Sequence, residues 1–156
     1  MLRIVVPGYK ELSLHHVVLD YNGTLAQDGR LLAGAQELLN AVAEQLELHV
    51  VTADTFDGAK SSLVVVRCKL KVLSERGQAE AKRKYVHDLG HDRVVAIGNG
   101  RNDRLMVKEA AMGIAILGKE GTAVETLLAA DVCCGSVLDA LELLLNPKRL
   151  VATLRS

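Results

Sequence analysis

The stretch Val17-Val18-Leu19-Asp20-Tyr21-Asn22-Gly23-Thr24-Leu25 decides the fold of this 156-residue chain. An apolar run suited to a buried strand ends in Asp20, and a glycine-bearing turn follows at once. Open α/β sheets place their chemistry at the carboxyl ends of parallel strands, so the pattern makes Asp20 a candidate nucleophile. Two residues on stands Asn22, an amide where a second carboxylate would complete an acid/base pair.

Outward from this stretch, apolar runs alternate with helical periods. The spacing predicts a helix over 35–45, with Leu38, Leu39 and Val42 on one face, and a strand over 46–52, which together make a βαβ unit. Further helices are expected over 59–66, 79–89 (stopped by Gly90), 104–111, 122–129 and 137–145, and strands over 70–73, 94–97, 113–117 and 131–133, the last a short edge strand. This repeated order predicts a single α/β domain over 1–156. It is doubly wound and Rossmann-like, with a mostly parallel sheet of five to six strands flanked by helices and joined by right-handed crossovers. Residues 1–16, with the Pro7-Gly8 turn, read as an added edge strand or hairpin. Residues 146–156 start a helix at Pro147, whose stripe of Leu150, Val151 and Leu154 would pack on the domain or on a second subunit.

Hydrophobic residues make up 49% of the chain and aromatic ones 3%, so the core should be aliphatic. Nineteen Lys and Arg balance nineteen Asp and Glu, which leaves no basic excess for nucleic acid or a polybasic membrane contact. No apolar run is long enough to span a bilayer. Cys68, Cys133 and Cys134 lack C-x-x-C spacing and no leader pattern opens the chain, which points to a reduced, cytoplasmic protein with its cysteines as small buried hydrophobes. His15, His16, His49, His87 and His91 show no metal-ligand spacing and read as structural or exposed.

Polar residues fall at successive strand ends: Asp20, then Thr52, then the loop Gly98-Asn99-Gly100-Arg101-Asn102-Asp103. Lys82, early on the helix that feeds the third of these strands, can reach the same crevice. A carboxylate that attacks phosphorus needs a divalent cation to reduce anion repulsion, a lysine for developing charge, and hydroxyl or N–H donors for phosphoryl oxygens. Asp20, Asp103, Lys82 and Thr52 match those needs. Mg²⁺ accepts a few carboxylate, carbonyl and amide oxygens and keeps several waters.

Taken in order, D-Y-N-G-T-L, V-V-T-A-D, Lys82 and G-N-G-R-N-D resemble the four motifs of the haloacid dehalogenase superfamily over about residues 16–135. The resemblance implies an Mg²⁺-dependent phosphohydrolase with an aspartyl-phosphate on Asp20 and a small phosphorylated substrate. Asp20, Asn22, Thr52 and Lys82 would be catalytic, and Gly23, Thr24, Ala53 and Asn102 would bind phosphate. Asp20, the Asn22 carbonyl, Asn99 and Asp103 would bind metal. It also implies a small β-hairpin flap near residues 26–32 and no cap domain.

Two residues depart from the pattern. Family phosphatases usually carry Asp at position 22, where it protonates the leaving group and activates water; an amide does neither. Asn99 likewise replaces a charged metal ligand. The catalytic domain of P-type ATPases also lacks the acid/base Asp, and its T-G-D resembles Thr52-Ala53-Asp54, but nothing in the chain corresponds to that family's membrane helices or its other domains. Three activities are therefore weighed: a slow or assisted phosphohydrolase, a phosphoryl-transfer enzyme or weak ATPase with a stable phosphoenzyme, and a retired binding or scaffold protein. An open crevice and the apolar tail stripe are compatible with a homo-oligomer. Asp54 is as suited to capping the next helix as to binding a ligand.

Overall fold

The computed structural model describes residues 1–53 and 58–156; Asp54 lies outside the described residues. Strand β3 (His16–Asp20) is buried along Val17 to Asp20, which accounts for its unbroken apolar reading: a strand covered on both faces has no polar side to alternate with. It lies at the centre of a six-stranded sheet with β6 (Glu47–Thr52), β7 (Lys69–Val72), β8 (Val94–Gly98), β9 (Met112–Ile116) and β10 (Val132–Cys134). The order is β10-β9-β8-β3-β6-β7, and every adjacent pair is parallel. The chain first winds outward from β3 through β6 to β7, then returns to the other side of β3 with β8. A topological switch therefore falls between the carboxyl ends of β3 and β8, where such sheets open a crevice.

Helices α1 (Ala35–Val42), α2 (Gly58–Ser62) and α6 (Val137–Leu145) cover one face, where Leu39, Ala59 and Leu141 join Val17, Leu19, Val50 and Ile97. Helices α3 (Gln78–Asp88) and α4 (Arg104–Glu109) cover the other, where Val86 and Met106 meet Val18, Val51 and Ala96. Helix α5 (Val124–Ala129) adds Ala129 to that layer. The aliphatic core and the β-then-α order follow the sequence pattern.

Between β3 and α1 the chain holds only the flap, β4 (Ala26–Gln27) paired antiparallel with β5 (Arg30–Leu31). Its turn is Asp28-Gly29, with φ of 51° and 77°, the left-handed pair that a two-residue hairpin needs. No cap is inserted there.

Several boundaries differ from expectation. α1 ends at Val42 and not at 45, because Ala43–Gln45 turn back into β6. α2 ends at Ser62 and not at 66: residues 63–65 form a turn that buries Leu63 and Val66 in the core and leaves Val64 and Val65 exposed. The amino-terminal segment is no edge strand of the main sheet. It is a separate hairpin of β1 (Leu2–Val5) and β2 (Glu11–Leu14) that buries Ile4, Leu12 and Leu14 in the first core. Cys134 is buried as read, but Cys133, on the alternate face of edge strand β10, is exposed. Helix α7 (Pro147–Leu154) turns Leu150 fully into this domain's own core, which settles where that residue packs. Among the described residues no helix is long and apolar enough to cross a membrane.

Candidate active site

Asp20 is the last residue of β3, and the turn beyond it is tightly held. Tyr21 is buried, its carbonyl accepts from the backbone N–H groups of Thr24 and Ala26, and its hydroxyl donates to Gly29 O at 3.2 Å. Gly23 has φ of 79°, and a Cβ there would lie 2.8 Å from Asn99 Oδ1, so both conformation and space require glycine.

Lys82 reaches the same point from the second turn of α3. Its ammonium donates to Asp20 Oδ1 and to Asp103 Oδ1, each at 2.7 Å. The lysine and Asp103 both have 0% exposure. A buried ammonium is costly unless paired, and here it is paired twice. Burial acts to lower the Lys82 pKa, but the two carboxylates outweigh it and hold it above the ordinary value. Asp20 is pushed the other way: burial and then the Asp103 charge raise its pKa to about 7, against the pull of Lys82. Two carboxylates share one cation, and Asp20 holds a proton more readily than an ordinary carboxylate.

Asp103 also organises the loop after β8. Its Oδ2 accepts from the backbone N–H groups of Asn99 (3.0 Å) and Gly100 (2.9 Å). Gly98 leaves it room, since a Cβ there would come within 2.5 Å of Asp103 Cγ. Asn99 is nearly buried, and its carboxamide bridges two other loops: Oδ1 accepts from Thr24 Oγ1 at 3.2 Å, and Nδ2 donates to Gly121 O at 2.9 Å.

Above this buried group lies a crevice of about 660 Å³ lined by Asp20, Asn22, Thr52, Ala53, Asn99 and Asn102, with Glu75, Gln78 and Gly100. Asn22 is exposed, whereas Thr52 is buried at the end of β6. Six of the sequence-predicted residues thus share one wall, and Lys82 and Asp103 are packed beneath it. Gly23 and Thr24 do not line this crevice; they face an adjoining cavity of about 480 Å³ with Ile116, Lys119 and Ser136. Glu75 and Gln78 were missed by sequence reading. Gln78 Oε1 accepts from Asn102 Nδ2 at 2.6 Å, and Gln78 Nε2 donates to Glu75 O at 3.1 Å, so the loop before α3 is tied to the phosphate-loop candidate. A polar run between a strand and a glycine, Ser74-Glu75-Arg76-Gly77, was the available signal.

The donor set fits a divalent cation. Two buried carboxylates share one lysine, and the charge left on Asp20 is what a cation at the crevice floor would neutralise. Asp20 and the Asn22 carbonyl border the open crevice, as does Asn99, although the Asn99 oxygen already accepts a bond. Asp103, with both oxygens taken and no exposed surface, meets an ion only by releasing present partners. Few direct protein ligands with the remainder water is the arrangement Mg²⁺ commonly adopts.

Comparison with known proteins agrees with this geometry. An uncharacterized protein of Methanocaldococcus jannaschii is 41% identical over 87 residues, which cover 56% of this chain and 84% of that one. A phosphoserine phosphatase of Idiomarina loihiensis is 38% identical over 86 residues, 51% of this chain but 37% of the longer relative. Among solved structures, the 3-deoxy-D-manno-octulosonate 8-phosphate phosphatase of Moraxella catarrhalis, in complex with magnesium, phosphate and the sugar acid, matches with a TM-score of 0.72. It is 17% identical, and the match covers 90% of this chain and 93% of that one. No family model matches the chain. The likeness over nine-tenths of both chains establishes the fold as that of the Moraxella catarrhalis phosphatase. The chain shares this fold with a putative HAD family hydrolase from Streptomyces avermitilis as well, at a TM-score of 0.69 and 17% identity.

Proposed function

We propose that this chain is a divalent-metal-dependent phosphohydrolase acting through an aspartyl-phosphate on Asp20, with Mg²⁺ as the cofactor and a small phosphorylated compound as substrate. The observation that carries the reading is the buried Lys82 ammonium bonded at 2.7 Å to both Asp20 and Asp103 beneath the switch-point crevice. A scaffold protein gains little from such an arrangement, since buried ion groups are weak contributors to stability. Phosphatases among the relatives and solved neighbours support the same class.

In this reading an Asp20 carboxylate oxygen attacks phosphorus, a phosphorus–oxygen bond forms, and the bond to the leaving oxygen breaks. Water then cleaves the acyl phosphate, releasing inorganic phosphate and restoring the carboxylate. A bound cation supplies charge neutralisation between nucleophile and phosphoryl group. Asp20, the Asn22 carbonyl and Asn99 would hold it, with Asp103 acting through Lys82 and the loop amides. Lys82 orients Asp20 and meets developing charge, while Thr52, the Ala53 backbone and Asn102 receive phosphoryl oxygens. Gly23 and Thr24 serve the turn and hold Asn99.

Asn22 can neither protonate the leaving group nor activate water, and this slows the hydrolytic half. Among the described residues the carboxylates lining the crevice are Asp20 and Glu75, and Glu75 is our candidate for the missing proton transfer. The absence of a carboxylate at position 22 favours a second reading, in which the phosphoenzyme persists and its phosphate passes to another acceptor. Incubation with labelled acetyl phosphate and Mg²⁺ separates the readings. Turnover supports hydrolysis, and a stable label absent from Asp20→Ala supports transfer. The absence of both leaves a binding protein and overturns the proposal.

A further inference from the structure

We propose that the amino-terminal ends of β3 and β6 carry a second site, for a late first-row divalent transition metal ion such as Zn²⁺, with His16 Nδ1, His49 Nε2 and Glu47 Oε2 as ligands. The register creates it. His16 pairs with Glu47 and Val18 with His49, so the two-residue period of the strands puts all three side chains on the sheet face covered by α3. Sequence spacing hides this, because His16 and His49 lie on different strands.

The three atoms already surround a common point. His16 Nδ1 lies 3.2 Å from His49 Nε2 and 3.3 Å from Glu47 Oε2, and His49 Nε2 lies 3.9 Å from Glu47 Oε2. Ligand atoms at about 2.0–2.1 Å from tetrahedral Zn²⁺ stand roughly 3.3–3.4 Å apart, so two of the edges match and the third closes with a small carboxylate movement. An apposed pair of imidazole nitrogens and a carboxylate oxygen offers the mixed N/O set that zinc, copper and nickel prefer to magnesium.

The surroundings fix these ligands. His49 is buried, and its other nitrogen, Nδ1, lies 2.8 Å from Tyr85 Oη. With the proton on Nδ1 and donated to that hydroxyl, Nε2 keeps its lone pair toward His16, the outer-sphere arrangement that orients metal-bound histidines. Glu47 bonds Lys69 through Oε1, which leaves Oε2 for the imidazoles. His16 is part-exposed, so the fourth position opens to water. Asp20 lies four positions along β3 from His16, about 13 Å, so this site is distinct from the crevice.

Isothermal titration of the full chain with Zn²⁺, with excess Mg²⁺ to saturate the crevice, tests the assignment. A group of exposed His87 and His91 with part-exposed Glu109, whose histidine rings stack at 5.5 Å, is the internal control. One Zn²⁺ equivalent should survive His87→Ala and weaken at least tenfold in His16→Ala and in Glu47→Gln. Tyr85→Phe should weaken it about tenfold. Nitrogen-detected imidazole spectra of the wild type should show Zn²⁺ on His49 Nε2 and a proton on Nδ1. Because His16 and Glu47 are not fully buried, these variants should fold, and their retained Mg²⁺-dependent activity or phosphoenzyme formation will show it. Zn²⁺ affinity unchanged in both His16→Ala and Glu47→Gln, or loss of the ion in His87→Ala alone, overturns the proposal, as does failure of the wild type to bind Zn²⁺.

Discussion

Lys82 Nζ and Asp103 Oδ1 lie 2.7 Å apart with no exposed surface on either side chain, and the same ammonium bonds Asp20. Asp20 is therefore held by a charge pair that solvent does not reach.

Removing the cation alone leaves two carboxylates facing each other in a buried place. Lys82→Met should lower the unfolding free energy by about 3–5 kcal/mol, the usual effect of stranding a buried charge. Urea denaturation measures this, and a loss below about 1 kcal/mol would mean that water reaches the pair. Phosphoenzyme formation should fall as well.

Asn22 is exposed at the crevice edge, so a carboxylate can be placed there with little structural cost. Asn22→Asp should accelerate hydrolysis of the phosphoenzyme on the order of 10²- to 10⁴-fold, the range for a restored general acid/base. The lifetime of labelled protein after removal of acetyl phosphate reads this out. An unchanged lifetime would show that the missing carboxylate does not limit turnover.

Glu75 gives the complementary test. If it moves the proton that Asn22 cannot, Glu75→Gln should slow hydrolysis by at least roughly tenfold while labelling of Asp20 proceeds. In the Asn22→Asp background the same change should lose most of its effect. Equal effects in both backgrounds would assign Glu75 to binding.

His49 should make the metal-free protein acid-sensitive. Burial depresses its pKa to about 4, with His16 and Lys69 adding and Glu47 opposing. An unfolded histidine titrates near 6.5, so the unfolded chain binds the proton first. The stability from the neutral ring is complete above about pH 6.5 and is lost as pH falls toward about 4, up to about 3 kcal/mol. Denaturation in EDTA across that range should show the decline, and His49→Gln should flatten it. A wild-type curve flat from pH 7 to 4 would place the ring in contact with water.

The layered order of strands and helices was legible because each apolar run is buried on both faces of one sheet, as in Val17 to Leu19 and Val94 to Ile97. Helix ends were less so: the residues at 63–66 keep a helical apolar spacing, yet Val64 and Val65 face solvent. Within the site, Asp20 and Thr52 could be found because a strand end fixes where a side chain emerges. Glu75 and Gln78 could not, since their place depends on how a loop returns to α3. The Thr24 hydroxyl bonds Asn99, a partner 75 residues away that sequence spacing does not reveal. The His16, Glu47 and His49 group was invisible for a similar reason, because strand register alone creates it.

The two amides at the crevice, Asn22 and Asn99, are not equally replaceable. Asn22 stands free of the loop contacts that hold Asn99, whereas the Asn99 carboxamide uses both ends, taking the Thr24 hydroxyl and giving a hydrogen to the Gly121 carbonyl. A carboxylate at position 99 would keep the first bond and set negative oxygen against the Gly121 carbonyl. Two substitutions that look alike on paper therefore differ in kind: one is a chemical choice at the rim, and the other has become part of the joinery between three loops.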